Sequence, residues 1–123
     1  MREDSPASFI RFRQPRPKLD AYGLALELTG RIQNVLEHAT ARFHLRDRLD
    51  RYATAIVIEL SRAEWDVRSN RWRYSRKALK LATDVTAVLD ILAAQRAVPL
   101  EYLEPARVSS QRLCTVLVGP FEL

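Results

Sequence analysis

An all-α fold, an antiparallel up-down four-helix bundle, is what three features of this 123-residue chain predict. Apolar residues recur at three- and four-residue spacings from Ala21 to Leu117. The β-branched residues sit in that same phase, so no strand signal emerges. Proline and polar links divide the periodic stretch into four segments of helical length. A chain of this size, 47% hydrophobic, builds one core without disulfides or a structural metal.

Residues 1–18 precede that pattern. Pro6, Pro15 and Pro17 alternate with Arg2, Arg11, Arg13, Arg16 and Lys18 without periodicity, which predicts a flexible basic arm. The bundle is expected over 19–119 and a short tail over 120–123. Helix one is expected from an N-cap at Asp20 to about His38, on a stripe of Tyr22, Ala25, Leu28, Ile32, Val35 and Leu36. Helix two, about Leu45 to Trp65, carries Leu45, Leu49, Tyr52, Ala53, Ile56, Leu60 and Ala63. Its consecutive Ile56, Val57 and Ile58 predict burial on more than one side.

Helix three, capped by Ser69 or Asn70, is expected over about Arg71 to Arg96 with two apolar stripes: Leu79, Ala82, Thr86, Leu89, Ala93 and Ala78, Leu81, Val85, Val88, Leu92. Pro99 breaks the chain. Pro105 is expected in the first turn of helix four, because deeper it would clash with the carbonyl four residues back. That helix carries Leu103, Val108, Leu113, Cys114, Val116 and Leu117 and ends at Gly119–Pro120.

The functional signal lies between Arg68 and Lys80: Arg68, Arg71, Arg73, Arg76, Lys77 and Lys80, with no acidic residue among them. Arg73, Arg76, Lys77 and Lys80 share one helical face, and Arg62 and Arg68 are expected beside it. Like charges three or four residues apart repel, so such a face suits a polyanionic partner, as does the net charge of +5. Tyr74 is read as a base-stacking candidate, whereas Trp72, in phase with Leu79, is read as a core or subunit contact.

Catalytic patterns are missing. Three glycines build no phosphate loop, and His38 and His44 lack the partners of a metal motif. Asp47 and Asp50 are flanked by Arg46, Arg48 and Arg51, which predicts intrahelical ion pairs. The single cysteine, Cys114, predicts a buried reduced thiol. No enzymatic activity, cofactor or metal is expected, and a soluble cytoplasmic protein is, since no segment has the length and hydropathy to span a bilayer.

The run LRDRLDRYATAIVIELSRAEW, then VRSNRWRYSRKALKLATDVTAVLDIL, then VPLEYLEPARVSSQRLCTVLVG resembles a four-helix-bundle family. It comprises the accessory variability determinant of diversity-generating retroelements and the intervening-sequence protein encoded within large-subunit ribosomal RNA genes. The likeness covers residues 20–119. In the ribosomal branch the second helix ends in an Asn-Ile-Ala-Glu-Gly-like segment, and Ile58 to Arg62 lacks that glycine, so the retroelement branch is the closer match. That resemblance implies a non-enzymatic homopentamer, positively charged, that binds reverse transcriptase and nucleic acid, RNA with DNA as a further candidate, in mutagenic reverse transcription. The basic run would supply the contacts, with Arg11, Arg13, Arg16 and Lys18 as a secondary arm. The apolar surplus on helices two and three is what subunit packing would need. An intervening-sequence-type bundle, or a protein-only oligomeric adaptor docking on an acidic partner, is the alternative.

Overall fold

The structure, a computed structural model, describes residues 20–66, 68 and 70–119. Among these there are four helices and no strand: α1 (Ala21–His38), α2 (Phe43–Trp65), α3 (Arg71–Ala94) and α4 (Leu100–Val118). The links are too short for anything but antiparallel succession, and α4 packs back on α1 to close the ring. The expected basic arm, Arg11, Arg13, Arg16 and Lys18 included, and the 120–123 tail with Pro120 lie outside the described residues, as does Ser69.

Each helix starts and stops for a local reason. The Asp20 carboxylate accepts the Tyr22 N–H at 3.1 Å, satisfying a donor the first turn of α1 cannot pair internally. At the other end of α1, Arg46 reaches back from α2 to donate to the Ala39 carbonyl at 3.0 Å. The α2–α3 link is held by Asp66, whose carboxylate accepts the Arg68 N–H at 3.1 Å and the Asn70 N–H as well. α3 ends in a Schellman turn: Ala97 N–H bonds the Leu92 carbonyl at 3.0 Å and Arg96 N–H the Ala93 carbonyl at 3.1 Å. Arg96 occupies the left-handed position, φ 53°, that glycine usually fills. The two links at this end are tied by Thr40, whose N–H donates to the Ala97 carbonyl at 2.8 Å. His38 stacks on Tyr102 there, ring centroids 3.7 Å apart.

Pro105 departs from expectation. α4 begins at Leu100 with Pro99 as N-cap, so Pro105 is the sixth helical residue and sits in the second turn, where the Glu101 carbonyl loses its helical donor. Pro99 takes over the start instead: its carbonyl accepts Tyr102 N–H at 3.0 Å and Leu103 N–H at 3.1 Å.

The core runs the length of the bundle through Leu28, Ile32, Leu49, Ile56, Leu89, Leu92, Leu103 and Leu113, all nearly inaccessible. Val108 does not join it and is 49% exposed. The buried phase of α4 is Leu103, Ala106, Ser110, Leu113 and Leu117, which turns Val108 to the opposite side. Small residues Ala78, Ala82, Ala106, Ser109 and Ser110 let α3 and α4 approach closely. Their hydroxyls are satisfied in place: Thr86 lies 3.0 Å from Ser110, Ser110 donates to the Arg107 carbonyl, and Ser109 donates to Glu27 on α1. Cys114, unbridged and half-buried, has its sulfur 3.8 Å from the Thr86 hydroxyl.

Candidate functional site

The inward stripe of α3 is Ala78, Ala82, Val85, Val88, Leu89 and Leu92. With that side fixed against α2 and α4, the opposite side of the rod is set by helical geometry, and it carries Arg73, Arg76, Lys77 and Lys80, all exposed. These four cations span about 10 Å of helix axis at 1.5 Å per residue. The ion pairs among the described residues all lie elsewhere: Glu27 with Arg31 and Arg112, Asp47 with Arg51, Glu59 with Arg62, and Arg107 with both Asp90 and Glu104. The Asp47–Arg51 bridge, 3.3 Å, is one of the intrahelical pairs expected of α2.

Local electrostatics at this helix start run against helix stability. The first turn of α3 holds no acidic residue and Asn70 makes no side-chain capping bond. Cations there face the positive end of the peptide dipoles, an arrangement that costs about 0.3–1 kcal/mol per charge at a surface. α1 begins with the capping carboxylate of Asp20 and α4 has Glu101 in its first turn, whereas α2, with Arg42 at its N-cap, shares with α3 the lack of an acidic first turn and of a side-chain cap. An anion placed against this end and face would offset both the dipole and the mutual repulsion of the cations.

The other candidate residues divide. Arg68 is exposed in the link, close in sequence to the array. Arg71 turns the other way, lining a small recess with Asp20, Tyr22, Glu64 and Ser75 between α1, α2 and α3. Arg62 is not a spare cation: its guanidinium donates to Glu59 at 2.9 Å, and the Glu59 side chain is 11% exposed. Tyr74 is half-buried one turn before the inward-facing Ala78, and it is not among the residues that share a surface with the cations. Of the two readings of Trp72, core residue or subunit contact, the first is corrected, because the residue is 56% exposed. Its apparent phase with Leu79 follows the flank of the helix, whereas the true inward stripe is 78–82–85–89–92. The Arg76 guanidinium lies over the ring, 5.6 Å from its centroid.

Trp72, Arg73, Arg76, Lys77, Leu79 and Lys80 line an open concavity of about 600 Å³. It pairs one flat aromatic surface with four cations. Glu59 is the buried polar residue that apolar periodicity passes over; its in-phase position beside Leu60 was the available signal. Among the described residues no group of three or more His, Cys, Asp or Glu side chains is placed to hold a metal ion. No helix is long and apolar enough to cross a membrane, again among the described residues.

No family model matches the sequence, and neither does any curated protein. Among solved structures the fold is similar to that of a protein of unknown function from the S23 ribosomal protein family of Bacteroides thetaiotaomicron. The TM-score is 0.74 at 20% identity, covering 84% of this chain and 99% of the other. At that identity the likeness establishes the four-helix fold.

Proposed function

We propose that this chain is a non-enzymatic nucleic-acid-binding bundle that holds a phosphate backbone against α3 and works as an accessory to a reverse transcriptase. The observation that carries the reading is the unneutralised face of Arg73, Arg76, Lys77 and Lys80 on a helix whose other side is locked into the core. Guanidinium and ammonium groups at fixed spacing position a backbone without reading sequence. The retroelement setting comes from the resemblance of residues 20–119 to the accessory variability determinant. That resemblance also supplies the expectation of a homopentamer, in which exposed Ile58 and Trp65 on α2 and Ile91 on α3 would meet other subunits.

The test is charge reversal of Arg73, Arg76 and Lys77 to Glu, followed by binding to a generic RNA and to the reverse transcriptase. Loss of both, with helicity and oligomer mass unchanged, is the expected result; retained binding rules the surface out. A second reading, a ribosomal setting, is favoured by the S23 ribosomal protein family named for the structural neighbour. Gene neighbourhood separates the two: a reverse transcriptase gene alongside supports the first, a position within a ribosomal RNA gene the second. A protein-only adaptor would show no retention of RNA even at low salt.

A further inference from the structure

We infer that Trp72 is a stacking platform for an unpaired base, so that the basic face takes single-stranded nucleic acid in preference to a duplex; this rests on the reading of that face as a nucleic-acid interface. Four cations alone would serve any polyanion. What they leave unexplained is Trp72, 56% exposed at the N-terminal edge of the array. Leaving an apolar ring of this size in water forgoes most of the stabilisation its burial would bring. The fold does not need it outside, since Ala, Lys or Glu at this helical position would serve α3 better.

The surroundings fit a base and its phosphates. Arg76 lies on one side of the ring, its guanidinium 5.6 Å from the centroid. The surface that the indole shares with Arg73, Lys77, Leu79 and Lys80 is shallow and open to solvent, so a planar group can reach the ring. The cations span about 10 Å of axis, the scale of the backbone on either side of one splayed nucleotide. One base on Trp72 would therefore carry its flanking phosphates onto Arg73, Arg76, Lys77 and Lys80. Within a duplex the bases are already stacked on one another, and only their edges reach a protein. An unpaired base offers its whole face.

The experiment uses the full chain carrying Trp65→Phe, which leaves Trp72 as the one indole. Oligo(dT), a duplex of equal length and an abasic single strand of equal length are titrated by fluorescence and by anisotropy. Expected are quenching by oligo(dT) and not by the abasic strand, and tighter binding of oligo(dT) than of the duplex. Trp72→Ala should lower oligo(dT) affinity by about tenfold or more with the salt slope unchanged, Trp72→Tyr should restore much of it, and abasic-strand affinity should be the same in all three. If Trp72→Ala binds oligo(dT) as tightly as the parent while reversal of Arg73, Arg76 and Lys77 abolishes binding, stacking is overturned and the backbone reading stands. If neither change matters, or no nucleic acid binds at low salt, both fall. A change in oligomer mass on Trp72→Ala would also overturn the inference, by making Trp72 a subunit contact.

Discussion

Replacing Arg73, Arg76, Lys77 and Lys80 together with Gln should make the protein more stable and a poorer binder. On α3 these four form four like-charge neighbours: Arg73 with Arg76 and Lys77, and Lys80 with Arg76 and Lys77. At about 0.2–0.5 kcal/mol each, their relief returns about 1–2 kcal/mol. Removing Arg73 from the dipole's positive end adds about 0.3–1 kcal/mol. Loss of the Arg76–Trp72 contact subtracts about 0.5–1 kcal/mol at this exposed site. Gln matches Arg and Lys in helix propensity, so the net is a gain of about 1–2 kcal/mol, or roughly 3–10 °C in Tm. Because the repulsion is between exposed charges, the gain should shrink as salt is added. For binding, four lost phosphate contacts at about 0.7 each take about 3 off the slope of log K against log salt for a single strand. Near physiological ionic strength that is about two orders of magnitude in affinity. Thermal denaturation at two salt concentrations and filter binding measure both. A fall in Tm, or a salt slope that stays put, would show that these side chains serve the fold and refute the reasoning.

Three further outcomes follow from particular contacts. Arg96→Gly should raise stability by about 0.5 kcal/mol in urea melts, since glycine relieves the left-handed φ of 53° at the end of α3 and gives back part of the gain as unfolded-state entropy; a loss would mean the Arg96 side chain stabilises the fold. Arg62→Ala should cost about 1–3 kcal/mol by stranding the Glu59 carboxylate, one oxygen of which already lacks a partner, whereas Glu59→Met should be neutral or stabilising; the two urea midpoints must move apart. Tyr102 should be a late-ionising tyrosine in an ultraviolet titration, because a hydrogen bond to Glu101, then desolvation, then the Glu101 charge hold its pKa above the usual 10.0. A folded pKa above the unfolded one means this stabilisation is complete below the unfolded value and is lost as pH rises through the folded one. Glu101→Gln should bring the ionisation back toward ordinary pH, and an unmoved titration would refute the assignment.

How far the sequence carried can be judged residue by residue. α1 was legible to within one residue because Asp20 does what an N-cap does and the Leu28–Ile32–Val35 stripe has one phase. α2 begins at Phe43, two residues earlier than apolar periodicity implied, since Phe43 and His44 are exposed and leave no burial signal. Val108, and Trp72 as a core residue, depart from expectation for one shared reason: apolar character does not decide inwardness, and the observed stripes turn both outward. Glu59 escaped for the converse reason, a charged type at an inward position. Arg62 reads as available because its partner sits three residues back on the same helix, where the charge of Glu59 masks an inward phase. Cations facing outward on α3 were readable, because helical phase and the 78–82–85–89 stripe decide that without tertiary detail.

What phase alone could not tell is how firmly the array is held. α3 is fastened along its opposite side by Ala78, Ala82, Val85 and Leu89, by the Thr86–Ser110 contact at 3.0 Å and by the Asp90–Arg107 bridge at 3.0 Å to α4. The backbone beneath Arg73, Arg76, Lys77 and Lys80 is therefore ordered before any ligand arrives, and the ordering cost within the protein is that of its side chains, about 0.5–1.5 kcal/mol for each one immobilised. A basic segment that must order its backbone at the moment of binding pays about 1–2 kcal/mol more for every residue fixed. Over four residues that difference exceeds what their phosphate contacts return at moderate salt, so a helix-borne array is the arrangement in which so few cations can hold a strand. Weakening the fastening without touching a charge should then weaken binding: Thr86→Val, which strips the hydroxyl from the α3–α4 seam and leaves Ser110 without that partner, should lower stability and single-strand affinity together, and undiminished affinity in a measurably looser bundle would mean that α3 gains nothing from being held.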